Sequence, residues 1–470
     1  MSSVAIHRHS PEARGGTVPR VPAVAAVLIV IVTAMFITEH QLDISLREHY
    51  TDTLLEMEDA TEGGNTARRL AYLFLAAGGV IAGWIAAAPR PRICGVLGVA
   101  VLSLMAWCAL SVLWSVDRGM TIRRLIVLAC CFVAACGFSR FLRPRELCSL
   151  AMAVSLTFLV IGILTEIALG TFKPLSATYR FAGTVHPNTQ GLYLATLCLS
   201  SSTLAASSKR SAFLLWGIFL FGMLFLILTK SRTSLAGTLL GFAGILSLRT
   251  TPGVRWMLAM GAVWTVGLVL FGAALAEFDL DRKLGQIMLL GREEQAESLT
   301  GRIPIWTEVS RFVAARPILG YGYEAFWNPD NILLVSRAMQ WSIRESHNAW
   351  FDTTLCVGVI GLALLVTTVI SGIGAAVRRY RQTGEAGYVF FAGLFIYAIV
   401  NCFLESGMVT PMCVPLIAGC GFCMLSFRPV TAGEFVSQPV RLPPTRNRRR
   451  HQRWAGVAAE ADRTYEGTRR

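Results

Sequence analysis

Residues 211–248 read SAFLLWGIFLFGMLFLILTKSRTSLAGTLLGFAGILSL. Within this stretch, two apolar runs at 211–229 and 234–248 are separated by a polar turn at 230–233. A helix of about 20 apolar residues covers the ~30 Å hydrocarbon core of a bilayer. The pattern therefore predicts two membrane-spanning helices joined by a tight turn.

The composition of the whole chain points the same way. Of its 470 residues, 54% are hydrophobic and 15% are charged, and the mean hydropathy is +0.55. A soluble chain of this length needs more polar surface, so a soluble multidomain protein is excluded. The apolar runs have the length of helices, which excludes a β-barrel. The twelve cysteines lie within or at the ends of these runs, where packing explains them better than disulfides.

About twelve stretches have the length and hydropathy of a membrane span. We place them at 21–38, 70–88, 93–115, 122–139, 148–170, 188–207, 211–229, 234–248, 256–275, 347–377, 388–405 and 408–427. The fourth, sixth and eighth are short or contain Ser, Thr and Gln, so ten or eleven spans also fit. We predict an all-α polytopic integral membrane protein.

The basic residues predict how this protein is oriented. If the N-terminal segment 1–20 is cytoplasmic, every loop on its side carries Arg or Lys, as the positive-inside rule requires. The formal net charge of +14 therefore reflects membrane orientation, and we predict no nucleic-acid partner. The run at 21–38 lacks a small-residue cleavage site and reads as an uncleaved span. The arginine-rich tail 428–470 is predicted to be cytoplasmic and disordered.

Two long segments fall on the opposite face. Residues 39–69 are acidic, and residues 276–346 form a large predicted periplasmic loop between transmembrane helices 1–9 (21–275) and 10–12 (347–427). The loop mixes Trp and Tyr with charges, which is typical of amphipathic helices on a membrane surface. No repeat relates the two halves of the chain, which disfavours a transporter built from repeated bundles.

The turn at 230–233 carries charge where the membrane prediction does not expect it. Lys230 and Arg232 place two cations on the outer face, where an ion within the membrane costs about 2.5–3.5 kcal/mol. A bound anion would compensate this cost. Side chains that snorkel to headgroup phosphates would do the same.

A second unusual site is the glycine-rich segment around Arg302. Arginine offers a planar fork of N–H donors that suits phosphate oxygens, and glycines let the backbone approach a ligand closely. Spacing alone leaves Arg302 as either a phosphate ligand or a salt-bridged loop residue. Trp306, Tyr321 and Tyr323 belong to the same loop and are candidates for binding a substrate, a hypothesis that rests on composition.

The third site is His347 with Asn348, where the long loop enters the tenth span. An imidazole titrates near neutral pH and suits proton transfer, although polar packing is the alternative. Arg180, His186 and Asn188 belong to another outer loop that could line the same cavity. Glu405, at the outer end of the eleventh span, could be a general base or a partner for an arginine.

No cofactor or metal is predicted from motifs. Cys420-x-x-Cys423 has no second pair and lies in an apolar run, so it reads as packing. The chain has no P-loop, GxGxxG or GxSxG motif, so soluble nucleotide chemistry lacks support.

Taken in order, these segments resemble the O-antigen ligase and polymerase superfamily, in particular its exopolysaccharide polymerase branch. The resemblance covers roughly residues 70–425, and the loop at 183–188 is similar to the family's Pro-Asn segment. The features that carry it are Ser231-Arg232 before a span, Gly301-Arg302 with Trp306, Gly-Tyr-Gly at 320–322, His347-Asn348, Gly358 and Gly361-Leu362.

The resemblance implies a GT-C-like, inverting, metal-independent glycosyltransferase without a cofactor. Its substrate would be a polyprenyl-diphosphate-linked oligosaccharide at the outer face of a bacterial inner membrane, with membrane lipid and polysaccharide export or chain-length proteins as partners. Arg232 and Arg302 would match the arginines that hold the donor diphosphate, and His347 the residue that activates the acceptor hydroxyl. Lys230 is predicted to bind the substrate. The extra His186 in the Pro-Asn segment leaves the acceptor side open.

Three other functions fit the same sequence. A ligase would transfer a finished glycan to a lipid or protein acceptor by the same chemistry. A twelve-span transporter or flippase would make no bond, and would place charges near the bilayer midplane rather than at its border. An assembly scaffold would tolerate alanine at all three outer sites.

Overall fold

The computed structural model describes residues 20–40, 66–86, 91–176, 179–250, 253, 298–339 and 343–429. The predicted span at 256–275, most of the acidic segment 39–69 and nearly all of the tail 428–470 lie outside these residues. Within them the chain is helical and contains no strand. The helices are α1 Arg20–Glu39, α2 Thr66–Ile85, α3 Gly95–Leu110, α4 Arg118–Phe141, α5 Pro144–Ala168, α6 Pro187–Ala205, α7 Ala212–Leu228, α8 Arg232–Arg249, α9 Ser298–Ala315, α10 Pro329–Met339, α11 Ala349–Thr383, α12 Ala386–Cys402 and α13 Cys413–Phe427.

The helices match the predicted spans wherever the structure describes them. Helices α1 to α5 and α11 are long and apolar enough to cross a membrane, and α7, α12 and α13 are shorter apolar helices. The protein is therefore a polytopic membrane protein. The largest difference is in α11, which continues to Thr383 instead of ending near residue 377. Helices α9 and α10 lie inside the predicted periplasmic loop.

The central position of α6 explains why one of the least apolar predicted spans is still a helix of the bundle. Nearly all of its residues are buried, and α5, α7, α8 and α12 pack around it. A central helix does not face lipid, so it can carry hydroxyl groups that return hydrogen bonds to its own backbone. Thr196 donates to Leu192 O at 2.9 Å, and Thr203 donates to Leu199 O at 2.8 Å. The Ser and Thr residues that weaken the sequence signal therefore mark the centre of the bundle.

A kink in α11 holds the segment 317–322 against the bundle. Gly358 has φ 67° and ψ −175°, which interrupts the helical dihedral angles. The freed carbonyl of Leu355 accepts from Tyr321 N at 2.7 Å, and that of Cys356 accepts from Gly322 N at 2.9 Å. In the other direction, Val359 N donates to Pro317 O at 2.9 Å. These bonds attach α9 and its connection to the N-terminal half of α11.

Replacing Gly358 by alanine is expected to destabilise the protein. The positive φ strains any residue with a side chain, by about 1–3 kcal/mol, and the added Cβ would lie 1.9 Å from Ile318 O. Gly374→Ala is the matched control, because Gly374 lies on the same helix with nothing within 4 Å of its added Cβ. Thermal unfolding of the purified proteins in detergent should show a lower midpoint for Gly358→Ala alone. Equal midpoints would contradict this account of the kink.

Candidate active site

The candidate site lies at the end of the bundle that the sequence predicts to be periplasmic. We call this end the site end. It is formed by the connections 179–186, 229–231, 343–348 and 403–412 together with the start of α9. The chain enters or leaves the bundle in each of these segments. Polar side chains collect there, since the bundle below is packed with apolar residues.

Arg302 and Glu405 form the central ion pair of the site end. Arg302 Nη2 donates to Glu405 Oε1 at 2.9 Å, and Arg302 Nη1 donates to Leu404 O at 2.5 Å. The side chains are 20% and 9% exposed, so the pair is largely shielded from solvent. The sequence left Arg302 as a phosphate ligand or a salt-bridged residue, and Glu405 as a general base or a partner for an arginine. In the structure, Arg302 is salt-bridged and Glu405 is its partner.

A chain of hydrogen bonds extends this ion pair across the site end. Glu405 Oε1 also accepts from Asn188 Nδ2 at 2.8 Å, and Asn188 Oδ1 accepts from Arg180 Nη2 at 3.1 Å. Arg180 Nε donates to Thr229 O at 3.1 Å. Two arginines from distant parts of the sequence are thus held by one carboxylate, one carboxamide and two backbone carbonyls.

Lys230 and Arg232 follow Thr229, the last residue of this hydrogen-bond chain. Lys230 follows Thr229 directly and has φ 53°, a left-handed conformation that turns the chain sharply between α7 and α8. Ser231 is buried, and Arg232 opens α8. The structure therefore brings the turn at 230–233 to the same end of the bundle as Arg302.

His347 is fixed by the residues on either side of it. Its φ of 51° is left-handed. Ser346 O accepts from Trp306 Nε1 at 3.0 Å, and Asn348 caps α11 by accepting from Trp350 N at 3.0 Å. Asn348 Nδ2 also donates to Phe403 O at 3.1 Å, close to Glu405. The backbone around the imidazole is therefore set by the loop, by α11 and by the connection after α12.

Two carboxylates lie close to the imidazole of His347. Its Nδ1 lies 2.9 Å from Glu345 Oε1. Burial lowers the pKa of His347, but Glu345 and Glu405 together outweigh burial and raise this pKa above its ordinary value. The pKa of Glu405 is also raised, by burial, against the opposing effect of Arg302 and His347. A proton taken up by the imidazole would thus be stabilised by two nearby carboxylates.

The same three residues have the donor set of a small cation site. One ligand atom each from Glu345, His347 and Glu405 lies within 4.8 Å of the others. The sequence did not predict this cluster, because Glu345 is not part of a metal-ligand spacing and Glu405 belongs to another connection. The geometry could hold a divalent cation or serve proton transfer, and a chelator separates these two uses.

The aromatic candidates are engaged inside the loop. Tyr321 is buried, and its hydroxyl donates to Phe312 O at 3.0 Å. Trp306 lies beside Phe351 with ring centroids 6.2 Å apart, and Tyr323 lines a cavity beneath the site. His186 is exposed, and its Nδ1 accepts from Asn188 N at 3.3 Å, which caps α6. These contacts shape the site end and leave His186 accessible to a substrate.

A cavity of about 250 Å³ opens beneath the site end. It lies among α3, α4, α11 and α13, and its lining is mostly apolar, with two acids (Glu324 and Asp352), Tyr323 and three threonines as the polar residues. Burial raises the pKa of Glu324 to about 7. The cavity therefore has the lining expected for a hydrocarbon chain, with two acids beside the polar connections above it.

Comparison with known proteins finds a family to which part of the chain is similar. Residues 194–366 match the family described as O-Antigen ligase. This segment of the chain is therefore similar to O-antigen ligase family proteins. Arg232, Arg302 and His347 lie within the matched segment, whereas Asn188 and Glu405, which complete the hydrogen-bond chain, lie outside it.

A second comparison finds a relative that spans most of the chain. The exopolysaccharide production protein ExoQ of Rhizobium meliloti (strain 1021) is 24% identical over 341 residues, which cover 66% of this chain and 73% of the relative. The protein is therefore a membrane protein that is similar to the O-antigen ligase family and to ExoQ.

Proposed function

We propose that this protein polymerises polyprenyl-diphosphate-linked oligosaccharide repeat units into exopolysaccharide. The reaction would take place at the outer face of the inner membrane, with both termini in the cytoplasm. It would be an inverting glycosyl transfer without a metal ion. The observation that supports it best is the hydrogen-bond chain Arg302–Glu405–Asn188–Arg180. It links two arginines to Glu405, whose carboxylate oxygen lies within 4.8 Å of a ring nitrogen of His347.

The arginines would neutralise the departing lipid diphosphate. Arginine has five N–H donors, of which Arg302 uses two in its bonds to Leu404 and Glu405. Its remaining donors are available to phosphate oxygens, while Glu405 fixes the plane of the guanidinium. Arg232 and Lys230 would bind the same diphosphate from the start of α8. Charge that is preorganised in this way stabilises a leaving group most as its negative charge develops.

His347 would remove the proton from the attacking sugar hydroxyl. The neutral imidazole accepts this proton as the acceptor oxygen bonds to the anomeric carbon and the bond to the diphosphate breaks. Glu345 and Glu405 would stabilise the resulting imidazolium. Attack from the face opposite the diphosphate would invert the anomeric configuration.

The apolar cavity would accommodate the first part of the polyprenyl chain. Leu128→Trp should partly fill the cavity and raise KM for a long-chain donor by about tenfold or more, while kcat changes little, because the lost binding is remote from the reacting bond. Leu239→Trp on the exposed face of α8 is the control, since Leu239 is 52% exposed. Kinetics with donors of two chain lengths measure the effect. An unchanged KM in Leu128→Trp would remove the cavity from the donor site.

Purified protein and lipid-linked repeat units test the function directly. The protein should convert the units into long chains without an energy source and in the presence of EDTA. Loss of activity in EDTA, restored by a divalent cation, would assign Glu345, His347 and Glu405 to a cation instead. Absence of any product would favour the transporter or the scaffold.

A ligase is the second candidate, because the matched family is described as O-Antigen ligase. It would leave lipid-linked units unpolymerised until a lipid or protein acceptor is added. In cells, loss of a polymerase would cause single lipid-linked units to accumulate, whereas loss of a ligase would cause finished lipid-linked glycans to accumulate.

A further inference from the structure

Asp352 connects three segments around the candidate site. It lies in the first turn of α11 and is 7% exposed. Its Oδ1 accepts from Trp327 Nε1 at 2.9 Å and from Ser346 N at 3.2 Å, and its Oδ2 accepts from Ser406 Oγ at 2.5 Å. One buried carboxylate therefore binds the α9–α10 connection, the entry to α11 and the connection after α12.

Two of the three bonded partners of Asp352 are neighbours of the reacting groups. Ser346 directly precedes His347, and Ser406 directly follows Glu405. Glu405 in turn holds Arg302 at 2.9 Å. Because the imidazole and the ion pair belong to different connections, no local sequence geometry fixes the distance between them. Asp352 is bonded to both connections.

We propose that Asp352 is a positioning residue, which sets the placement of His347 relative to the Arg302–Glu405 pair. This inference rests on the proposed function for its kinetic consequence. Asp352 lines the cavity proposed for the polyprenyl chain, but it does not touch the reacting atoms in this scheme. Its role is to keep the base and the diphosphate-binding arginine at a working separation while the acceptor sugar enters between them.

The first test compares Asp352→Ala with Asp352→Asn by steady-state kinetics with lipid-linked repeat units. Asp352→Ala should lower kcat about 100-fold with an unchanged KM for the donor, because a displacement of about 1 Å in a reacting group can have this effect. Asp352→Asn should stay within about tenfold of wild type, because the carboxamide oxygen still accepts from Trp327 and Ser346 while its NH₂ donates to Ser406.

Matched variants separate positioning from general instability. Thr354→Ala removes a buried hydroxyl on the same helix that donates only to Trp350 O, and it should leave kcat unchanged. Ser406→Ala removes a single partner of Asp352 and should lower kcat by about tenfold. This variant keeps the test available if Asp352→Ala does not fold. A kcat near the wild-type value in Asp352→Ala or in Ser406→Ala would overturn the proposal. So would an Asp352→Asn variant as inactive as Asp352→Ala, because the charge and not the placement would then matter.

Hydrogen exchange provides a measurement that does not depend on activity. The amide of Ser346 donates to Asp352, so its exchange should be faster in Asp352→Ala and unchanged in Thr354→Ala. Equal exchange in Asp352→Ala and wild type would overturn the positioning role. A wild-type protein that makes no polymer would overturn the proposed function, while the exchange of Ser346 still tests the positioning.

Discussion

Arg302→Ala should lower kcat for polymerisation by about 10²–10³-fold, the usual effect of removing one preorganised charge-stabilising group. The substitution removes the guanidinium and also leaves the buried Glu405 carboxylate with only Asn188 as its bonded partner. Arg302→Lys should remain strongly impaired, because an ammonium group cannot bond Leu404 O, Glu405 and a phosphate oxygen in one plane. Initial rates of chain elongation with purified protein measure both effects.

Arg311→Ala is the matched control for Arg302. Arg311 lies on the same helix, α9, but its side chain is 73% exposed and pairs with Glu308 within that helix. It should therefore elongate chains at the wild-type rate. Arg302→Ala with near-normal elongation, or equal losses in the two variants, would remove the guanidinium of Arg302 from the reaction.

His347→Gln should lower kcat by about 10²–10⁴-fold, the range expected for loss of a general base. Binding of the donor should persist, because the arginines hold the diphosphate. The measurement is a pair of experiments on one preparation, donor binding and single-turnover transfer. A variant that binds donor and still transfers at the wild-type rate would show that another group takes the proton.

The pH dependence of kcat/KM provides a second test of His347. A base must be neutral, and the carboxylates raise the pKa of His347 above its ordinary value. Activity should therefore fall as the pH decreases through this raised pKa. Glu345→Gln removes one of the two carboxylates that raise the pKa of His347. The acidic limb of the kcat/KM profile should therefore move to lower pH. A limb that moves to higher pH in Glu345→Gln would contradict the role of His347 as base.

The sequence predicted the membrane class and the helices because both depend on local composition. Apolar runs of sufficient length determine where a helix can cross a bilayer, regardless of what the helix packs against. The uncertainty over the span at 188–207 also has a physical cause. Its Ser and Thr residues weaken the hydropathy signal, and they are tolerated because α6 is surrounded by other helices.

The arrangement of the site depends on contacts that the sequence does not encode locally. Asn188, Arg302 and Glu405 belong to connections that are far apart in the chain, and no periodicity relates them. Glu345 and Asp352 carry no motif of their own, so their contacts with His347 and with its neighbour Ser346 emerge only in the folded bundle. The kink at Gly358 is similar: a glycine in an apolar run has no visible partner until the segment 317–322 packs against it.

Binding of a polyprenyl diphosphate without sugar tests the central claim most directly, because it isolates recognition of the leaving group from the chemistry. Detergent-solubilised wild type and the variants His347→Gln, Arg311→Ala and Arg232→Ala/Arg302→Ala should be titrated with this lipid. The account predicts that only the double arginine variant loses affinity, by about 100-fold or more, while His347→Gln binds normally. Equal affinity for the double variant and wild type would contradict it.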